Sequence, residues 1–140
     1  TEGDYKGFAP RDEILRQGGD FTLVTYGNSI NTAIKAADIL EKRGVSVEIV
    51  KLFKVFPNDF RLVGKSVSKT GRLLVLEECS ALGCIGEKIS KSLSEKNIAP
   101  KTAIYKNLGG GFVPHGDIPS LYKACGIDET SVADAISEAL

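Results

Sequence analysis

The sequence has no methionine, one histidine and only three cysteines among its 140 residues. An odd cysteine count excludes a complete disulfide framework and favours a reducing compartment, the cytoplasm. Nowhere does the chain approach the roughly 20 apolar residues that a membrane helix needs, and its polar amino terminus is no signal peptide. Runs of like charge never exceed two residues, and Lys plus Arg balance Asp plus Glu at 18 each. Without a basic face there is no electrostatic case for nucleic acid or for an anionic membrane as partner. The missing methionine means a missing initiator, which points to a processed protein or, better, to an excised segment. Residues 1–11 are polar and Gly-rich and read as a linker entering a domain over residues 12–140.

What is present suits one soluble domain. The apolar fraction is 42% and the charged fraction 26%, and a domain of about 150 residues buries roughly two-thirds of its unfolded surface. Residues 12–16 predict an edge strand that turns at Gly18-Gly19, where glycine tolerates positive φ, into the next strand over 21–26. That tight connection implies an antiparallel edge. A helix capped by Asn28 or Ser29 follows and stops at Gly44, with Ile30, Ala33, Ile34, Ala37 and Leu40 near helical spacing. Further strands are predicted over 45–52, 73–76 and 102–105. Helices are predicted from Pro57 to about Lys69, from Gly83 to Lys96, from Ile118 to Cys125, and from Ser131 to Ala139 with Thr130 as cap. Leu73-Leu74-Val75-Leu76 is apolar throughout, as a strand covered on both faces must be. Alternating strands and helices give a three-layer α/β/α fold around a mostly parallel sheet.

Several of these segments together resemble a known family. Leu23-Val24-Thr25-Tyr26-Gly27-Asn28-Ser29 precedes an Ala-rich helix. Val47 to Asp59 and Leu74-Val75-Leu76-Glu77-Glu78 follow, then Gly83-Cys84-Ile85-Gly86. The series is similar to the C-terminal domain of the transketolase family, which includes transketolases, 2-oxo-acid dehydrogenase beta subunits and 1-deoxy-D-xylulose-5-phosphate synthases. Phe112-Val113-Pro114-His115-Gly116, Leu121 and Gly126-Ile127-Asp128 look most like the synthases. Two departures stand out: Cys79-Ser80-Ala81-Leu82 after the paired glutamates, and Phe56-Pro57-Asn58-Asp59 in place of Lys-Pro-Leu-Asp. The resemblance implies a five-stranded sheet with one antiparallel edge strand, and a homodimeric parent transferase of isoprenoid biosynthesis that uses thiamine diphosphate and Mg²⁺. It places cofactor and substrate in the preceding domains and gives this one a non-catalytic role in assembly. No cofactor motif occurs here, and no catalytic residue is carried over.

The residues themselves offer a few candidate sites. Gly27, Asn28 and Ser29 open a helix, and free N–H groups with a positive dipole end make an anion site. The G-x-G-x-x-G pattern is absent, so ordinary capping is the expected role and a stand-alone ligand-binding or regulatory module the alternative. Glu77 and Glu78 end a central strand at the carboxyl edge, where open α/β sheets bind ligands. Adjacent strand residues point to opposite faces, so they are no acid–base pair. One is expected to enter the crevice and hydrogen-bond the next loop. His115, after three glycines, has no nucleophile in a recognisable setting and suggests an interface or loop anchor. Cys79, Cys84, Cys125 and His115 match no zinc-ligand spacing. Gly109-Gly110-Gly111 lacks the Lys and Ser/Thr of a phosphate loop. No C-x-x-C pair supports a redox domain.

Overall fold

The computed structural model describes residues 11–55, 57–78, 84–107 and 118–140, with residues 118–121 as backbone. The expected linker thus lies, Arg11 apart, outside the described residues. Five strands, β1 (Glu13–Arg16), β2 (Phe21–Thr25), β3 (Val47–Lys51), β4 (Arg72–Leu76) and β5 (Thr102–Lys106), form one sheet in the order β1-β3-β2-β4-β5. All neighbours are parallel except β1 and β3. The expected antiparallel edge strand is present, but it pairs with β3 and not with the strand that follows it. Gly18 explains the turn differently from the expectation: it does not adopt positive φ. A Cβ there would sit 2.2 Å from the Val47 carbonyl carbon, so glycine is needed for close backbone approach.

Helices cover both faces. On one, α1 (Ser29–Lys42) and α5 (Glu129–Glu138) pack with Phe21, Leu23, Ile49, Leu74 and Leu76. On the other, α2 (Arg61–Thr70) and α3 (Ile85–Glu95) pack with Val24, Val50, Leu73 and Val75. Leu73 and Leu74 therefore serve opposite cores, which is why the strand shows no polar alternation. Beneath α2, the buried Thr22 hydroxyl bonds those of Ser66 and Thr70, each at 2.7 Å. α4 (Ile118–Cys125) has the expected bounds.

Three helix starts differ from expectation, α3 beginning at Ile85 and not at Gly83. α2 begins at Arg61, not at Pro57. Asn58 Oδ1 accepts from the Phe60 N–H at 2.7 Å, and Asp59 Oδ1 accepts from the Arg61 N–H at 3.0 Å. Phe60 itself is left-handed, with φ 53°. Short polar side chains that bond the backbone two residues on compete with the helix, so the segment before Arg61 is a turn. α5 starts at Glu129, and its cap is Asp128, which accepts from the Ser131 N–H at 3.3 Å, rather than Thr130. No helix among the described residues is long and apolar enough to cross a membrane.

Candidate functional site

From β2 the chain leaves over one face through α1 to β3, while β4, on the other side of β2, continues through α3 to β5 over the opposite face. The two paths diverge at the carboxyl ends of β2 and β4, the switch point where open α/β sheets form a crevice. Gly27, Asn28 and Ser29 from β2 and Glu77 and Glu78 from β4 meet this edge. Glu77 does not end the central strand, however, because β2 holds the middle of the sheet and β4 lies beside it.

Glu77 is 1% exposed. Its Oε1 accepts from the Ile85 N–H at 3.0 Å and from the Tyr26 hydroxyl at 2.8 Å, and its Oε2 accepts from the Gly86 N–H at 2.9 Å. A carboxylate thus lies on the amino end of α3, where the dipole and unpaired N–H groups favour negative charge. Gly86 permits the arrangement. A Cβ there would come within 2.7 Å of Tyr105 Cδ1 and 3.5 Å of Glu77 Oε2. Glu78 is exposed and instead accepts from the Tyr122 hydroxyl. Partial burial, together with that neighbouring carboxylate, pushes the Tyr122 phenol up to about 12. The two glutamates hold different helices, one through α3 and one through α4.

The amino end of α1 is built otherwise. Gly27 has φ 61°. Asn28 occupies the cap position with helical backbone angles, but its side chain makes no capping bond. The expected capping by Asn28 or Ser29 is therefore absent, because an αR residue does not swing its side chain back over the first-turn N–H groups. Ser29 is buried at the first helical position.

His115, Cys79 and the Gly109–Gly111 run fall outside the described residues. Cys84 is buried at the cap position of α3, 3.9 Å from Asn107 Nδ2, and Cys125 ends α4. Among the described residues no group of three or more His, Cys, Asp or Glu is placed to hold a metal. Sequence reasoning missed Tyr26 and Tyr122 as the partners of the paired glutamates, and Gly86 as the spacer against Tyr105. The only signal was Gly86, three residues into the predicted helix.

The family described as "Transketolase, C-terminal domain" matches residues 11–132. The chain belongs to the transketolase C-terminal domain family. A 1-deoxy-D-xylulose-5-phosphate synthase of Desulforudis audaxviator is 36% identical over 114 residues, covering 81% of this chain and 18% of that protein. A pyruvate dehydrogenase E1 component subunit beta of Staphylococcus epidermidis is 36% identical over 97 residues, 69% of this chain and 30% of that protein. A solved structure titled "Split gene transketolase, inactive beta4 tetramer" superposes with a TM-score of 0.82 at 28% identity, over 95% of this chain and 42% of that one. This transketolase C-terminal domain spans under a third of the two curated relatives' lengths.

Proposed function

We propose that this domain is the C-terminal, non-catalytic assembly and dimerisation part of a thiamine-diphosphate-dependent transferase resembling 1-deoxy-D-xylulose-5-phosphate synthase. The observation that carries the reading is the family match over residues 11–132. Synthase over dehydrogenase is supported by reach: at equal identity, the match to the synthase spans 81% of the chain against 69% for the beta subunit. The buried acid of the crevice agrees with a structural role, because Glu77 is spent on α3. In this reading the parent joins a two-carbon unit from pyruvate to glyceraldehyde 3-phosphate in the cytoplasm, for isoprenoid biosynthesis. Thiamine diphosphate and Mg²⁺ sit in the preceding domains of the parent chain, and the enzyme is a homodimer. His115 then serves an interface or loop.

Calorimetry tests the reading. Thiamine diphosphate with Mg²⁺, titrated into the 140-residue chain, is expected to give no binding heat, and tight binding by this domain alone overturns the proposal. Joined to the preceding domains, the assembly should condense pyruvate with glyceraldehyde 3-phosphate. Failure there, with activity on other donors, moves the parent to the transketolase or 2-oxo-acid dehydrogenase branch.

A further inference from the structure

Two helices begin at the carboxyl edge beside the switch point, and α3 receives an anion from the fold itself. α3 has Glu77 on its first N–H groups and Glu87 in its first turn. α1 is longer, at 14 residues, yet has no acidic residue in its first turn and no side-chain cap. We propose that the amino end of α1 is a phosphate-binding subsite. Its ligands are the Ser29 N–H and the hydroxyls of Ser29 and Thr32.

Three observations beyond the helix end support it. Ser29 is 4% exposed and Thr32 8%, and neither hydroxyl has a hydrogen-bond partner among the described residues. Among the described residues no fully enclosed side-chain oxygen or nitrogen lacks a partner, so the small exposed fraction of both residues includes the hydroxyl oxygens. Buried hydroxyls are ordinarily bonded, and two unpaired ones at i and i+3 share a helix face. Helical side chains tilt toward the amino end, which turns Ser29 and Thr32 back over the first turn and its N–H groups. Next, there is room: among the described residues nothing lies within 4 Å of the place a Gly27 Cβ would take. Finally, the neighbouring carboxylate does not oppose an anion at full strength, since Glu77 is engaged by the N–H groups of α3 and the Tyr26 hydroxyl. A tetrahedral oxyanion offers several acceptors to one N–H and two O–H donors, which suits phosphate, free or as a monoester, better than a planar carboxylate.

Amide chemical shifts of the 140-residue chain test this, with inorganic phosphate and glycerol 3-phosphate as probes and chloride at matched ionic strength as control. Phosphate should shift the Gly27 to Ile30 amides saturably, and chloride should not. Ser29→Ala with Thr32→Val should weaken binding at least about tenfold, as expected for lost hydrogen bonds to a charged group. Asn28→Asp brings a negative charge beside the same helix end, and by like-charge repulsion should weaken phosphate binding while keeping the domain folded. Tighter binding of glycerol 3-phosphate assigns the site to an esterified phosphate, and equal binding to the phosphate group alone. Unmoved or non-saturating amides overturn the proposal, as does undiminished affinity in the Ser29/Thr32 variant. Because the probe is phosphate and the readout local, the result is independent of the assembly role.

Discussion

The amino ends of α1 and α3 sit on the same edge of the same sheet, yet they meet their unpaired N–H groups in opposite ways. At α3 the chain supplies a carboxylate from the preceding strand end, buries it, and locks it with the Tyr26 hydroxyl. At α1 the cap residue contributes no side-chain bond, and two buried hydroxyls have no partner among the described residues. The first arrangement is a structural joint between β4, β2 and α3. The second leaves the Ser29 and Thr32 hydroxyls without a bond among the described residues. An unsatisfied helix end is tolerable where water or a ligand can reach it and costly where it is enclosed.

The largest effect that would break this comparison is expected at Glu77. Glu77→Ala orphans the buried Ile85 and Gly86 N–H groups and should cost roughly 3 to 5 kcal/mol of unfolding free energy, since each enclosed unpaired donor costs about 1 to 3. Chemical denaturation measures it, and a loss below about 1 kcal/mol would mean that water replaces the carboxylate and the joint is not one. Next comes Gly86→Ala, whose Cβ falls 2.7 Å from Tyr105 Cδ1. Overpacking of this kind should cost about 1 to 3 kcal/mol. Adding Tyr105→Ala should recover part of the loss in a double-mutant cycle.

A third test uses the opposite edge of the sheet, where Glu48 is buried and pairs with Lys69. Burial alone would raise the Glu48 carboxyl, but bonds from Lys69, Ser66 and the Gly18 N–H outweigh it and hold the group below the usual range. With a depressed folded pKa, this stabilisation is fully present above the unfolded value of about 4.3 and is lost as pH falls through the folded one. Denaturation midpoints should therefore drop on acidification in that window, and Lys69→Met should make the Glu48 contribution to that drop smaller. The smallest effect belongs to α1. Asn28→Ala should change stability by less than about 0.5 kcal/mol, although losing an Asn cap ordinarily costs about 1. A full capping loss there would show that Asn28 already fills the end and would close the proposed subsite.

Much of the fold was legible in the sequence because local chemistry and burial agree. The two-sided apolar strands, the glycines after α1 and α2, and the balanced charge each have one reading. Helix starts were less legible wherever polar side chains compete with the backbone. Asn58 and Asp59 look like ordinary helix-opening residues, and only their bonds to Phe60 and Arg61 show a turn instead. The candidate site was half visible: Glu77 and the Gly27–Ser29 junction stood out by position, but their opposite roles did not.

By itself, the sequence determined a covered, mostly parallel α/β sheet and the family of the domain, because strand hydrophobicity and motif order are properties of the chain read in line. The tertiary structure alone decided that β1 pairs with β3, that Glu77 closes α3, and that Asn28 makes no capping bond at α1. Those outcomes depend on which distant groups arrive within hydrogen-bonding distance, 51 residues apart for Tyr26 and Glu77. No local pattern encodes that separation.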